Sequence, residues 1–191
     1  DDGLVHVTRD RGKTWSNVTP PDMPEWMQIN CIAADPHRDG GAYFAGTRYK
    51  LDDFRPYIYR TTDYGKTWAK ITGGLDPAWF TRCVRPDPVV DGLIYCGTER
   101  TVWASYNHGR RWQRLASELP LVAITDLVVE DDEDEDEDEA GGEGGGAAAL
   151  GVDSQFLRIV SDMSLNQIET AALRLCVARN DIHVRAALEV F

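Results

Sequence analysis

TRDRGKTW, at residues 8–15, recurs as TTDYGKTW at residues 61–68 and, with more changes, as SYNHGRRW at residues 105–112. The closing tryptophans of the three phrases lie 53 and then 44 residues apart. A phrase that returns at such intervals indicates a chain built from repeated supersecondary units that stack on one another. The repeat therefore predicts the architecture, although a fold by itself does not define an activity.

Each position of the phrase suits a tight hairpin turn between two strands. An Asp or Asn side chain accepts hydrogen bonds from nearby backbone N–H groups, a Ser or Thr hydroxyl closes the same loop, and Gly adopts positive φ. The Trp begins the next strand and carries a large apolar area to bury between units. We therefore expect structural roles for Thr8, Asp10, Gly12, Thr14, Trp15, Thr61, Asp63, Gly65, Thr67, Trp68, Ser105, Asn107, Gly109 and Trp112.

The sequence around the phrase repeats as well. Residues 30–36 align with residues 82–88, and residues 42–47 align with residues 93–98. Short apolar runs between Gly, Pro and Asp favour strands over helices, and a unit of about 40 to 50 residues has the length of a four-stranded propeller blade. The prediction is the end of one blade at 1–19, complete blades at about 28–73 and 80–117, and an opening strand at 123–129.

The turns and their flanks resemble the Asp-box, or BNR, repeat of sialidases, sortilins and related β-propellers. Residues 55–68, with Gly97, Thr98, Glu99 and Arg100 further on, are most similar to the large sortilin-like BNR proteins, often labelled glycosyl hydrolases by similarity alone. The resemblance covers residues 1–129 and implies a mainly β, partial propeller of about two complete blades plus pieces of two more. Because a ring needs about four to eight blades to close, we expect a fragment of a longer protein.

Ten consecutive acidic residues, 130–139, follow the last predicted strand, and a stretch rich in Gly and Ala continues to residue 152. Like charges repel one another and keep such a run solvated, so residues 130–152 are expected to form a disordered linker. The run carries most of the net charge of −12. Since the predicted propeller is close to neutral and the linker is acidic, nucleic-acid binding is disfavoured.

Residues 153–191 carry apolar side chains at spacings of three and four, which predicts a three-helix tail. Phe156, Leu157 and Val160 mark its first helix, and Ser164 with Gln167 forms a capping box for the second. Three helices in so few residues make a small core. The tail is therefore expected to dock on a partner or to oligomerise.

The cysteines and histidines give no sign of a metal site. Cys31, Cys83, Cys96 and Cys176 lack metal-ligand spacing and the four histidines are scattered, so neither a metal nor another cofactor is expected. Cys31 and Cys83 occupy equivalent strands, where filling core volume is favoured over a disulfide. No run of about 18 apolar residues predicts a membrane segment in this chain. Localisation stays open, since a secreted or lumenal compartment follows only from the sortilin-like resemblance.

One insertion, residues 48–57, has no counterpart in the next repeat and is the best candidate for ligand contact. An insertion on one unit of a repeat protein usually maps to a loop on a binding face. Its mixture of rings and charges suits contact with a sugar or a peptide, and it suits a salt-bridged structural loop as well. The candidate ligand residues are Tyr49, Lys50, Asp52, Asp53, Arg55 and Tyr57.

The sequence gives no complete set of groups for hydrolysis of a glycoside, which needs two carboxylates that face a cleft. Asp10 and Asp63 are expected to bind backbone N–H groups, so no catalytic residue is assigned. The favoured hypothesis is a non-catalytic, sortilin-like propeller segment that binds a protein or peptide through its loops. One alternative is a fragment of a glycoside hydrolase or sialidase whose other blades carry the catalytic residues, with carbohydrate as ligand. Another is an adaptor that acts through the acidic arm and the helical tail.

Overall fold

The computed structural model describes residues 3–115 and 121–131, together with the strands at 154–160, 173–178 and 187–189. These residues form antiparallel sheets and one short 3-10 helix, so the chain is mainly β, as the sequence predicts. In the described part of the chain no helix is long and apolar enough to cross a membrane.

The strands form four sheets along the chain. The first sheet pairs β1 (His6–Val7) with β2 (Ser16–Asn17). The second contains β3 (Gln28–Ala34), β4 (Ala42–Arg48), β5 (Asp53–Thr61) and β6 (Ala69–Lys70), with the helix η1 (Tyr49–Leu51) between β4 and β5. The third contains β7 (Thr81–Pro86), β8 (Ile94–Thr98), β9 (Val102–Ser105) and β10 (Gln113–Arg114).

The second and third sheets repeat each other strand by strand. In both sheets the strands lie side by side in the order in which they follow along the chain. The pairing of β3 with β4 shifts between Ile29 and Cys31, and the pairing of β7 with β8 shifts at the equivalent place, between Thr81 and Cys83. The two sheets fall within the ranges in which the sequence repeat predicts complete four-stranded units.

The C-terminal strands show that the predicted three-helix tail is wrong. β11 (Asp126–Asp131) pairs with β12 (Ser154–Val160), β12 with β13 (Leu173–Ala178), and β13 with β14 (Ala187–Glu189), all antiparallel. Leu173, Leu175 and Val177 also alternate along the sequence with a period of two, which suits a strand. Short apolar runs fit both periods, and the pairing of β12 with β11 and of β13 with β12 selects the strands. The predicted capping box, Ser164 with Gln167, lies outside the described residues.

The acidic run begins inside the fourth sheet. Glu130 and Asp131 belong to β11 and pair with Phe156 and Gln155. The predicted disordered linker therefore cannot start at residue 130, because its first two residues are in a strand. The remainder of that prediction, residues 132–152, lies outside the described residues.

The second repeat turn is closed by four hydrogen bonds of 3.0 Å or less within seven residues. Asp63 Oδ1 accepts from the Thr67 N–H at 2.9 Å, and Asp63 Oδ2 accepts from the Thr67 hydroxyl at 2.6 Å. The Thr61 hydroxyl accepts from the Gly65 N–H at 3.0 Å and donates to Asp63 Oδ1 at 2.8 Å. The Thr61 hydroxyl and both carboxylate oxygens of Asp63 are therefore used in hydrogen bonds within the turn.

The other two turns use the same scheme. In the first, Thr14 donates its N–H and its hydroxyl to Asp10 at 2.8 and 2.6 Å, and the Gly12 N–H donates to Thr8 Oγ1 at 2.8 Å. In the third, the contacts through Ser105, Asn107, Gly109 and Arg111 keep three of the four bonds, at 2.9 to 3.0 Å. The hydrogen bonds from Thr14 and Thr67 lower the pKa of Asp10 and of Asp63 to about 2.

Two turn tryptophans tie successive sheets together. Trp68 Nε1 donates to the carbonyl of Val18 at 2.6 Å, and Trp112 Nε1 donates to the carbonyl of Ile71 at 2.7 Å. Val18 lies three residues after Trp15, and Ile71 lies three residues after Trp68, so the two contacts are equivalent. Trp112 is buried and Trp68 is half-buried, whereas the side chain of Trp15 is 60% exposed.

The glycines of the same turns lie against the same acceptor residues. A Cβ added at Gly65 would lie 2.7 Å from the Cβ of Val18, and one at Gly109 would lie 2.9 Å from the Cβ of Ile71. Such distances leave no room for a side chain at either glycine. At Gly12, in contrast, the nearest atom is in the ring of Trp15, 4.0 Å away.

Three apolar cores fill the spaces between successive sheets. One joins the first two sheets around Phe44, Tyr57 and Tyr59. A second joins the second and third sheets, and it contains Tyr43, Ile58, Val84, Ile94, Cys96 and Trp112. A third lies between the third sheet and β11, around Tyr95, Val102 and Leu127. Cys31, Cys83 and Cys96 are free thiols.

We predict that Gly65→Ala destabilises the protein far more than Gly12→Ala. Both glycines have positive φ, +79° and +86°, so alanine is strained at either position. Only at Gly65 does the new Cβ also overlap Val18. In urea unfolding, Gly12→Ala should lower the free energy of unfolding by about 1 kcal/mol and Gly65→Ala by roughly 2–4 kcal/mol. Equal losses would contradict the packing of this turn on the first sheet.

We also predict that Asp63 makes the protein acid-sensitive. Its folded pKa, about 2, lies below the ordinary value of 3.8, so the unfolded chain binds its proton first as the pH falls. The stabilisation is present above about pH 4 and is lost as the pH falls toward 2. Asp63→Asn should therefore flatten the decline of Tm between pH 4 and pH 2. Asp39→Asn, at an exposed position outside the three repeat turns, should not. Unchanged pH profiles for both variants would disprove the assignment.

Candidate functional site

The insertion that the sequence marks as a ligand loop connects β4 to β5. Tyr49 and Lys50 lie in η1, and Asp52 ends this helix with a left-handed backbone, φ 57°, its N–H donating to the Tyr49 carbonyl at 3.1 Å. The loop returns at once into β5, which begins at Asp53. The sequence of the insertion therefore folds into a compact turn rather than a long open loop.

Asp53 is the anchor of this turn. Its Oδ1 accepts from Arg55 Nε at 2.8 Å, and its Oδ2 accepts from Arg55 Nη2 at 2.8 Å, from the Tyr57 hydroxyl at 2.8 Å and from Arg48 Nη1 at 3.1 Å. The Asp53 side chain is 11% exposed. The hydrogen bonds from Arg55, partly opposed by burial, hold the pKa of this carboxyl well below its usual range, with the Tyr57 hydroxyl contributing. Asp53 is thus ionised and fully bonded.

An aromatic stack ties the insertion to the third sheet. The Tyr49 ring stacks on Phe80 with centroids 5.0 Å apart and planes 13° apart, and the Phe54 ring lies 6.3 Å from Phe80. Phe80 immediately precedes β7 and is buried, while Tyr49 and Phe54 are exposed on one side. The insertion therefore contributes both to packing between the sheets and to the surface.

A cleft of about 220 Å³ lies beside η1. It is lined by Trp26, Gln28, Thr47, Arg48, Tyr49, Lys50 and Leu51. A second cleft, of about 510 Å³, is lined by Gly3, Leu4, Thr19, Met23, Pro24, Glu25 and Trp26. We call the first the η1 cleft and the second the Glu25 cleft. Trp26 lines both clefts.

Trp26 has a left-handed backbone conformation. Its φ is 60°, a value uncommon for a bulky residue and costing about 1–2 kcal/mol, and its side chain is 66% exposed. Met27, the next residue, is fully buried in the core between the first two sheets. The buried methionine fixes the backbone, and the exposed tryptophan lines both clefts.

The structure divides the candidate residues from the sequence into two groups. Asp53, Arg55 and Tyr57 meet in the network that closes the turn, and Tyr49 and Lys50 line the η1 cleft. Asp52 lines neither cleft. Sequence reasoning missed Trp26 as a cleft residue. The available signal was an aromatic residue in a proline-rich stretch, 20–26, directly before a strand.

Three described carboxylates are poorly suited to act as the general acid of glycoside hydrolysis. The carboxyl groups with a displaced pKa, Asp10, Asp53 and Asp63, are all displaced downward, whereas a general acid needs a raised pKa. All three are also occupied by hydrogen bonds from their own turns. Among the residues that the structure describes, no group of three or more His, Cys, Asp or Glu side chains is placed to hold a metal ion.

Solved structures of glycoside hydrolases are similar to this fold. An ancestral GH74 enzyme matches with a TM-score of 0.58 and 16% identity, over 97% of this chain and 23% of its own. The GH74 xyloglucanase from Xanthomonas campestris matches with a TM-score of 0.54 and 15% identity, over 92% of this chain and 25% of its own. This chain thus spans about a quarter of the length of either protein. No protein-family model matches it, and a search of curated proteins gives no match.

At these identities the likeness defines the fold and nothing further. The chain has a mainly β, glycosyl hydrolase-like fold of the β-propeller class, built from antiparallel sheets. The predicted class of fold is therefore confirmed at this level. The ligand roles of Tyr49, Lys50, Asp52, Asp53, Arg55 and Tyr57 stay predictions.

We predict that Asp53→Asn loosens the insertion and that Asp52→Asn does not. The first change removes the charge that binds two arginines, and the second alters a neighbouring exposed carboxylate at a left-handed position that Asn tolerates. Loss of charged hydrogen bonds should lower the free energy of unfolding by roughly 1–3 kcal/mol. Hydrogen exchange should speed up at residues 48–57 in Asp53→Asn alone. Equal protection in both variants would refute the anchor role.

Proposed function

We propose that this chain is a carbohydrate-binding segment of a glycoside hydrolase-like β-propeller, and that its described residues bind a polysaccharide without cleaving it. The observation that carries the proposal is Trp26, an exposed tryptophan that lines two clefts. The flat apolar face of an indole packs against the C–H face of a sugar ring, and the ring hydroxyls stay accessible to polar groups and water. The fold similarity to GH74 enzymes supports the same class of ligand.

The proposal includes the Asp-box assignment of the three turns and the partial ring. The shared hydrogen-bond scheme of the turns supports the first, and the strand-by-strand equivalence of the second and third sheets supports the second. In this interpretation the turns are structural. They hold the sheets at a constant spacing, and the ligand contacts come from the insertion of the second sheet and from the segment before β3.

Binding rather than turnover is proposed because the carboxylates near the clefts are poorly suited to catalysis. Asp53 is ionised and has no free lone pair directed at a ligand. Asp52 lines neither cleft, and Glu25 lines only one of them, with no second carboxylate beside it. A retaining or inverting glycosidase needs two such groups on opposite sides of the bond that is cleaved.

Carbohydrate replaces the protein or peptide ligand that the sequence favours. No contact among the described residues supports a peptide, and the fold neighbours are named as glycoside hydrolases. The adaptor alternative loses its helical tail, since the described part of that region consists of strands. Of the hydrolase alternative, the glycoside hydrolase-like class of fold is retained.

We predict that the chain is retarded in native gels that contain xyloglucan or another soluble plant polysaccharide, and that Trp26→Ala removes most of the retardation. Loss of the stacking surface should raise Kd at least about tenfold, which corresponds to ~1.4 kcal/mol. Trp15→Ala is the matched control, because Trp15 is similarly exposed, at 60%, and lines neither cleft. Near-normal retardation of that variant is expected.

A reducing-end assay on the same polymers completes the experiment. No products should accumulate with the wild-type chain. Turnover that Asp52→Asn or Asp53→Asn abolishes would overturn the non-catalytic part of the proposal. A chain that binds no polysaccharide in the panel, or loses binding equally with Trp15→Ala and Trp26→Ala, would overturn the binding part.

A further inference from the structure

The η1 cleft carries positive charge on its lining and no carboxylate. Its two ionisable cations are Arg48 and Lys50. Arg48 is paired with Asp53 at 3.1 Å, but Asp53 also binds Arg55, so one negative charge is shared between two arginines. Lys50 is exposed and forms no ion pair with any described residue, and its Nζ lies 5.9 Å from the centroid of the Tyr49 ring. The lining therefore carries an excess of positive charge, and the Lys50 ammonium group is its exposed part.

The acids around the cleft do not cancel that charge. Asp53 is hydrogen-bonded to Arg48, Arg55 and Tyr57, and Asp52, which ends η1, does not line the cleft. The two carboxylates are outnumbered by the three cations Arg48, Lys50 and Arg55. Glu25 lines the Glu25 cleft and not the η1 cleft. Trp26 thus lines one cleft that contains two cations and another that contains a carboxylate, and the two clefts should select different ligands.

We propose that the η1 cleft binds an acidic saccharide, a sugar ring that bears a carboxylate. Trp26 packs against the ring, and Lys50 pairs with the carboxylate. The Gln28 amide, which bonds no described side chain or backbone group, is available to a ring hydroxyl. This inference rests on the proposed polysaccharide-binding function and adds to it the class of sugar and the residue that selects it.

The charge of the chain allows binding of acidic sugars to be distinguished from binding of neutral sugars. The net charge of −12 lies mostly in residues 130–139, and the rest of the chain has no excess of basic residues that would attract a polyanion, so binding of an acidic polymer requires a local cationic site. Neutral sugars need only the indole and hydrogen bonds. Loss of the Lys50 charge should therefore weaken acidic ligands and leave neutral ones nearly unaffected.

The test measures binding of the full chain to polygalacturonate and to xyloglucan by affinity electrophoresis at moderate ionic strength. Lys50→Gln should weaken polygalacturonate binding by roughly 1.5- to fivefold, the range for one exposed ion pair, and leave xyloglucan binding unchanged. Lys66→Gln makes the same change of net charge at an exposed lysine of the second repeat turn and is the matched control. Lys50→Arg should restore polygalacturonate binding.

The outcomes separate this inference from the proposed function. Binding of xyloglucan without polygalacturonate, or equal effects of Lys50→Gln and Lys66→Gln, would overturn the acidic-sugar inference and leave polysaccharide binding intact. Polygalacturonate binding that Trp26→Ala does not weaken would overturn it as well, because contact would then be through charge elsewhere. Failure to bind either polymer would overturn both proposals.

Discussion

The hydrogen bond from a turn tryptophan to a backbone carbonyl of the preceding sheet sets the geometry of the described sheets. Trp68 donates to Val18 and Trp112 donates to Ile71, three residues beyond the preceding tryptophan in each case. An indole N–H and a carbonyl buried together must pair, because either one left alone would cost free energy. Since the acceptor is backbone, its side chain can change from valine to isoleucine without loss of the contact.

This dependence on backbone explains why the third turn works although its sequence has diverged. Asn107 replaces an aspartate and Arg111 replaces a threonine, yet Asn107 Oδ1 still accepts the Arg111 N–H at 2.9 Å. What is lost is the side-chain bond of the threonine and the charge of the carboxylate. What persists is the glycine contact and the indole bond to the neighbouring sheet. The features needed between sheets are therefore kept, and the features internal to the turn vary.

The sequence predicts the parts of this fold that rest on local hydrogen bonds. Each turn closes within eight residues, so its chemistry can be read from a short phrase. The fourth sheet depends instead on the pairing of β11 with β12, more than twenty residues away, and an apolar spacing such as that around Leu175 fits a helix equally well until the partner is known. Trp26 was missed for a related reason. Its exposure results from the burial of Met27 and from clefts whose other walls come from residues 48–51.

Within the insertion, some residues close the turn and others line the η1 cleft. Asp53 binds Arg48, Arg55 and Tyr57, so the hydrogen bonds that hold the turn are made inside the insertion. A turn that is already closed loses little conformational entropy when a ligand arrives. Lys50 stands outside that network, beside a tryptophan whose backbone is fixed by its buried neighbour. The η1 cleft can therefore present one charge, from Lys50 in the insertion, together with one ring, from Trp26 before β3, and this combination suits selection of a single functional group on a sugar.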